Sequence, residues 1–99
     1  MGGERMLVIT SKYLKSMDLV EKHLPEHRAF LDVYYKIGIF IASGRKASDD
    51  GGVILAKGAT KEQIEKILAE DPFSREGISK YEIAEFSPNR VAEGFENLK

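Results

Sequence analysis

His27 and Asp71 are the two side chains whose positions in the sequence indicate proton-transfer chemistry. His27 precedes Phe30 by three residues and Tyr34 by seven, which places the three on one face of a predicted helix. If Pro25 takes the first helical position, His27 lies in the first turn, where the helix dipole and partial burial favour a neutral imidazole. A general base requires that form, so His27 is predicted as a general acid/base. The alternative is a histidine at the edge of the core that bonds to the backbone.

Asp71 is predicted to be the partner of His27. It follows Ile64 by seven residues and can share the apolar face of a second helix. Its predicted position near the C-terminal end of that helix disfavours an anion unless a cation or donors lie nearby. If both helices lie on one face of a sheet, Asp71 can reach His27, orient its ring and stabilise its charged form. The alternative is a solvated residue of a Glu70-Asp71-Pro72 turn.

Three further residues are candidates for substrate binding. Arg45 is predicted in a polar loop after the second strand, where its guanidinium suits an anionic group. Ser43 can donate a hydrogen bond from the same segment. Phe73 lies two residues after Asp71 and is a candidate contact, although Tyr34, Tyr35 and Phe73 are also expected as core or dimer contacts. Solvated loop side chains are the alternative for Arg45 and Ser43.

No metal site is predicted. The segment from His23 to His27 has the sequence His-Leu-Pro-Glu-His, which matches a zinc-protease pattern. That pattern requires both histidines on one unbroken helix and a third ligand downstream, and Pro25 falls inside the match. We interpret the match as a coincidence and expect His23 to be solvated. No cofactor is expected either.

The composition favours one small domain that binds neither nucleic acid nor membrane. The chain has 99 residues, with 15 Lys and Arg against 16 Asp and Glu, for a net charge of −1. The whole chain, 1–99, is expected to form one domain, with a solvated start over 1–5 and a polar tail over 89–99. Balanced charge provides no electrostatic attraction for nucleic acid or anionic lipid. The absence of cysteine suits the cytoplasm.

The pattern of apolar residues predicts the order β-α-β-β-α-β. Strands are predicted at 6–9, 39–42, 53–56 and 81–86, and helices from Pro25 to Gly38 and from Thr60 to about Asp71, with a short helical turn at 17–23. Thr60 and Gln63 form a predicted capping box. This order is typical of the ferredoxin-like α+β fold, an antiparallel four-stranded sheet with two helices on one face.

The strands also predict how the protein assembles. The first three are apolar in consecutive residues, whereas a sheet with one wet face should alternate. We therefore expect a homodimer in which two sheets pack face to face, although runs of four apolar residues also arise by chance. The same element order occurs in RNA-binding domains, but the predicted third strand, 53–56, lacks the aromatic residues that stack on bases.

The chain resembles the YCII-related (YciI-like) family of the dimeric α+β barrel superfamily. The resemblance covers about 6–88. Its carriers are Pro-Glu-His-Arg-Ala-Phe-Leu at 25–31, Gly-Ile-Phe-Ile-Ala-Ser-Gly at 38–44, Gly-Gly-Val-Ile-Leu at 51–55, Glu-Asp-Pro-Phe at 70–73 and the strand at 81–86. Family members often have proline after the Ser-Gly pair, where this chain has Arg45, which changes the rim of the expected pocket.

The resemblance implies a ferredoxin-like protomer, a sheet-to-sheet dimer and a His–Asp pair in a pocket, at His27 and Asp71 in this sequence. It also implies a small cytoplasmic bacterial protein with lyase, dehydrochlorinase or isomerase-like activity. We therefore expect a cofactor-free enzyme that moves protons on a small, aromatic or carbonyl-bearing compound. One alternative is a non-catalytic ligand-binding or regulatory dimer with the same cleft. The other is a structural dimer without a pocket.

Overall fold

The part of the chain that the structure describes forms four strands, three α-helices and one 3-10 turn. The computed structural model describes residues 5–98, so the expected solvated start at 1–4 lies outside the described residues. Arg5, the last residue of that predicted start, lies 3.4 Å from the carboxylate of Glu85. The elements are β1 Met6–Tyr13, α1 Met17–Lys36, β2 Phe40–Arg45, β3 Gly52–Lys57, α2 Lys61–Leu68, α3 Pro72–Arg75, β4 Ser79–Phe86 and the 3-10 turn Glu96–Leu98.

The strands form one antiparallel sheet in the order β2-β3-β1-β4. Leu7 and Ile9 of β1 are fully buried and pack with residues of both long helices, which therefore lie on the same face of the sheet. The ferredoxin-like α+β fold predicted from the sequence is confirmed. None of the described helices is long and apolar enough to cross a membrane.

Helix α1 runs through Pro25 without a break, so the prediction that Pro25 starts the helix is wrong. Val20, Leu24 and Leu31 keep one helical phase on both sides of the proline, and burial of that stripe holds the two halves together. Proline lacks only its own N–H, which removes one bond, to the carbonyl of Glu21. His27 therefore lies in the middle of α1, too far from either end for the helix dipole to affect its imidazole.

Helix α2 begins as predicted and ends earlier than expected. Thr60 Oγ1 accepts a hydrogen bond from the Gln63 N–H at 3.1 Å, and Gln63 Oε1 accepts from the Thr60 N–H at 2.8 Å, which confirms the capping box. The helix ends at Leu68. Asp71 is therefore not at its C-terminal end but caps the N-terminus of α3, which the sequence did not predict.

Strand β2 extends three residues further than predicted, to Arg45. A bulge between Phe40 and Ala42 shifts the alternation by one residue. Phe40 faces the helices, and after the bulge so do Ser43 and Arg45, which pair with Ile54 and Gly52. These two candidate residues thus lie in a strand rather than in a loop.

The hairpin between β2 and β3 packs tightly against β1. A side chain on Gly51 would place its Cβ 1.9 Å from the backbone oxygen of Ser11. Ser11 Oγ in turn accepts a hydrogen bond from the Gly52 N–H at 2.8 Å. Glycine at 51 is therefore required by this close approach, and it fixes the hairpin beside the end of β1.

Two groups of buried side chains hold the layers together. The first joins the sheet to α1 and α2 and contains Leu7, Ile9, Phe30, Phe40, Ile54, Ala56, Ala59, Ile64 and Leu68. The second joins α1 to α3 and contains Val20, Phe73 and Ile78. The second group positions α3, and with it Asp71, against the middle of α1.

Candidate functional site

The structure brings His27 and Asp71 together. Nδ1 of His27 lies 2.9 Å from Oδ1 of Asp71, a hydrogen-bond distance. The Asp71 side chain is completely buried, whereas that of His27 remains 14% exposed. Because a carboxylate only accepts hydrogen bonds, Nδ1 carries the proton in this pair. In the neutral ring the lone pair is then on Nε2, the nitrogen that points away from Asp71.

Asp71 owes its position to α3. The segment Asp71-Pro72-Phe73 is a typical helix start, with a carboxylate at the cap and proline in the first turn. Oδ1 of Asp71 accepts a hydrogen bond from the Phe73 N–H at 3.1 Å as well as the bond from His27. One carboxylate therefore both caps the short helix and orients the imidazole.

Tyr81 is a third member of this cluster, and the sequence analysis did not identify it as a site residue. Its hydroxyl donates a hydrogen bond to Oδ2 of Asp71. Burial of the phenol, followed by the charge of Asp71 and the hydrogen bond to it, raises the pKa of Tyr81 above its ordinary value. The available signal was a tyrosine at an inward position of an alternating strand, since a buried phenol needs a polar partner.

Phe73 fixes the plane of the imidazole. The rings of His27 and Phe73 are parallel to within 1°, with centroids 4.1 Å apart. Phe73 is buried, so it provides a rigid wall rather than a mobile contact. Stacking on Phe73 together with the hydrogen bond to Asp71 restricts rotation of the His27 ring.

The exposed side of His27 faces a cavity of about 620 Å³ between α1 and the ends of the strands. The predicted residues Ser43, Arg45 and Phe73 all line this cavity. A volume of this size is in the range of small-molecule sites. The other lining residues are Ser11, Tyr13, Leu24, Arg28, Leu31, Asp32, Tyr35, Gly44, Gly52, Val53, Ile54 and Tyr81.

Arg45 and Ser43 are each held by a neighbour. Ser43 Oγ shares a hydrogen bond with the Tyr35 hydroxyl. The Arg45 guanidinium carbon lies 6.0 Å from the centre of the Tyr13 ring, and its Nη1 lies 3.3 Å from the Asp49 carboxylate. The Tyr13 phenol first, and Asp49 to a lesser extent, raise the pKa of Arg45. Tyr13 was not identified from the sequence.

His23 differs from the sequence expectation. It is half-buried rather than solvated, and its Nδ1 lies 3.9 Å from the Glu26 carboxylate. Across residues 5–98, no group of three or more His, Cys, Asp and Glu side chains is placed to hold a metal ion. The zinc-protease pattern at 23–27 therefore has no third ligand within the described chain.

The fold and the site define a class of protein: a ferredoxin-like α+β domain with an oriented histidine in a cavity lined by both polar and apolar side chains. The chain belongs to the YCII-related domain family, whose model matches residues 5–87. This match covers the whole sheet and all three α-helices.

Solved structures that share the fold include the following two. One is 5-chloro-2-hydroxyhydroquinone dehydrochlorinase (TftG) from Burkholderia phenoliruptrix AC1100, in complex with 2,5-dihydroxybenzoquinone. It superposes with a TM-score of 0.67 and 16% sequence identity, and the match covers 93% of this chain and 98% of the dehydrochlorinase. The other is a mutant of SnoaB, a cofactor-independent oxygenase from Streptomyces nogalater, with a TM-score of 0.53, 16% identity, and coverage of 93% and 99%. No curated protein gave a significant match. At 16% sequence identity, the similarity to these two structures establishes only that the fold is shared.

Proposed function

We propose that this protein is an enzyme that transfers protons on a small, aromatic or carbonyl-bearing compound, with His27 as the general acid/base. The observation that carries the proposal is the bond from His27 Nδ1 to the fully buried Asp71, on a ring whose other side faces the cavity. This arrangement supports a base at Nε2 and stabilises the imidazolium that forms when Nε2 takes a proton. Asp71 is the positioning residue.

The reaction class follows from what these groups supply. Nε2 removes a proton from a C–H or O–H group of the substrate, and the electron pair of that bond forms a new C=C or C=O double bond. A leaving anion departs as the electrons shift, which is an elimination, or the proton returns at another carbon, which is an isomerisation. For a phenol, the proton first returns at a ring carbon, and the anion leaves from the ketone that results. Both reactions are redox-neutral and use acid–base catalysis, which typically contributes ~10²–10⁴-fold. Arg45, Ser43 and Phe73 are proposed to bind the substrate.

The dehydrochlorinase that shares the fold suggests the first compound to test. Purified protein is incubated with 5-chloro-2-hydroxyhydroquinone, and chloride release is followed beside a His27→Gln variant. We expect release by the wild-type protein and a loss of at least ~10²-fold in the variant, with unchanged circular dichroism. In a second assay, simple ketones are incubated in D₂O and exchange of their α-protons is measured by NMR.

The same assays distinguish the non-catalytic alternative. A compound that binds in the cavity, shifts the NMR signals of His27 and is recovered unchanged favours a binding or regulatory module. Conversion at an equal rate by the wild-type protein and His27→Gln contradicts the assignment of the base.

We also propose that two copies pack through the sheet face opposite the helices. The register places small and apolar side chains on that face, and also the charged Lys12, Lys80 and Glu82 of β1 and β4; the small and apolar residues are Val8, Thr10, Ala42, Val53, Leu55 and Ala84. A stable dimer interface typically buries roughly 1,200–2,000 Å² of accessible surface, counted over both copies. Sedimentation should give a dimer for the wild-type protein and a monomer for Leu55→Asp. A monomeric wild-type protein at micromolar concentration contradicts this assembly.

The lack of cysteine supports a reducing compartment, and we propose the cytoplasm as the location.

A further inference from the structure

We infer that Tyr13 and Arg45 form an oxyanion-binding site in the cavity that contains His27, and that the substrates are compounds that carry or develop a negative charge on an enol or phenol oxygen. This inference rests on the proposed function and adds to the base His27 two residues that bind the oxygen on which charge develops.

The geometry places Tyr13 where both the substrate and Arg45 can reach it. Tyr13 is the last residue of β1 and lines the cavity. Its ring meets Phe73 edge to face at 6.3 Å, and Phe73 stacks on His27 from the same cavity wall. The Arg45 guanidinium carbon lies 6.0 Å from the centre of the Tyr13 ring. Tyr13, Phe73 and His27 thus form a continuous aromatic wall with Arg45 at one end.

Hydrogen-bond donors of Arg45, rather than net charge, favour an anion at this end of the cavity. Arg45 has five N–H donors, and its contact with Asp49 involves one nitrogen, so other donors remain for a ligand. The Arg45 guanidinium lies beside the Tyr13 ring, and Tyr81 lines the same cavity. Arg28 and Asp32 of α1 also line the cavity and offset one another in charge.

The chemistry links the two ends of the cavity. When Nε2 of His27 takes a proton from carbon, the electron pair moves onto a conjugated carbonyl oxygen. The Tyr13 O–H and the Arg45 guanidinium donate hydrogen bonds to that oxygen and stabilise its charge. The charge then returns to carbon for reprotonation or expels a leaving anion. An enolisable carbonyl compound, or the keto tautomer of a phenol, meets these requirements.

The test uses 4-nitrophenol, whose ionised form absorbs visible light, so that the bound probe reports its own charge. The full chain is titrated with the probe across pH, and affinities for phenol and phenolate are separated. We expect the wild-type protein to bind phenolate about tenfold more tightly than phenol, because hydrogen bonds to a charged oxygen are stronger than those to a neutral one. Tyr13→Phe and Arg45→Gln should each lower this preference severalfold.

Two controls separate this site from the catalytic base. Tyr34→Phe removes a phenol that bonds Glu70 and does not line the cavity, and it should keep the full preference. His27→Gln should also keep it while losing turnover. Absence of binding, equal affinity for the two forms, or a preference that is lost in His27→Gln and kept in Tyr13→Phe overturns the inference. Turnover measured with His27→Gln tests the proposed function independently.

Discussion

The imidazole of His27 lies flat on the ring of Phe73, with the ring centroids 4.1 Å apart and the planes 1° from parallel. The two residues come from different helices and are 46 positions apart in the sequence, so this contact exists only in the folded protein. Because Nδ1 is hydrogen-bonded to Asp71 at the same time, the plane of the ring is fixed, and so is the direction in which Nε2 points. A base held in this way loses little conformational freedom when a substrate binds.

Replacement of Phe73 by leucine should loosen the ring of His27. Leucine keeps an apolar contact but cannot stack, so we expect a loss of about 0.5–1.5 kcal/mol in the free energy of unfolding. Turnover should fall severalfold because the imidazole samples more orientations. Urea unfolding and NMR linewidths of the His27 ring measure the two effects. Narrow, unchanged ring signals in the variant contradict the proposed role of Phe73.

Asp71→Asn separates the charge of the carboxylate from its capping role. The amide oxygen can still accept the Phe73 N–H, so the fold should survive, with circular dichroism close to that of the wild-type protein. With its oxygen at the Oδ1 position the amide still accepts from Nδ1, but it is neutral and no longer stabilises the imidazolium that forms when Nε2 takes a proton. We expect turnover to fall by ~10²–10⁴-fold. Nitrogen chemical shifts of His27 check that the tautomer is kept, and full activity in this variant would falsify the role of the Asp71 charge.

Tyr81→Phe removes the donor to Oδ2 of Asp71 and leaves that oxygen buried without this partner. An unsatisfied buried acceptor typically costs about 1–3 kcal/mol, so we expect a loss of that size in urea unfolding. Tyr34→Phe is the matched control, since its phenol bonds an exposed carboxylate at 2.6 Å and should cost less than ~1 kcal/mol. Equal losses in the two variants contradict the argument from burial.

Stability should fall in alkaline solution in a way that depends on Tyr81. Its folded-state pKa is raised above the ordinary value of 10.0, first by burial. The unfolded chain loses the phenol proton above that pH while the folded protein keeps it, so the contribution of Tyr81 to stability is complete below pH 10.0 and declines as pH rises. The decline is about 1.4 kcal/mol per pH unit. Unfolding from pH 9 to 11 should show a shallower decline in Tyr81→Phe; identical slopes contradict this account.

Thr60→Ala tests a part of the fold that is remote from the cavity. Loss of the reciprocal capping bonds with Gln63 should lower the free energy of unfolding by about 1 kcal/mol. Ligand binding in the cavity should not change, because Thr60 does not line it. Thermal unfolding and 4-nitrophenol titration measure the two properties. Thr60→Asn keeps a capping oxygen and should restore most of the stability.

The periodicity of apolar residues was sufficient to predict the four strands, α2 and the second half of α1, and the spacing of Thr60 and Gln63 predicted the capping box. It also placed His27 and Asp71 on faces that meet, since helical spacing decides which side chains point at the sheet. Asp71 was assigned to the wrong helix end because α3 has only four residues, too few for any periodic signal. Pro25 was taken as a helix start because sequence alone does not show that tertiary burial outweighs one lost backbone bond.

Tyr13 and Tyr81 were missed for a different reason. Their roles depend on which residues lie opposite one another across strands, and that register is set by the whole sheet. The bulge in β2 turns Arg45 toward the cavity, where it meets Tyr13, and nothing in the segment 40–45 predicts the bulge. The residues that share one face of a helix were thus accessible from the sequence, whereas contacts between strands were not.

Because Asp71 also caps α3, its retention among homologues is ambiguous evidence of activity. A relative that has lost the reaction still needs a capping residue there, and aspartate, asparagine, serine and threonine all serve. The informative comparison is therefore between homologues with aspartate and those with a neutral cap at this position. Homologues that have a neutral cap at position 71 and also lack the histidine at position 27 would have retained the fold without the acid–base pair.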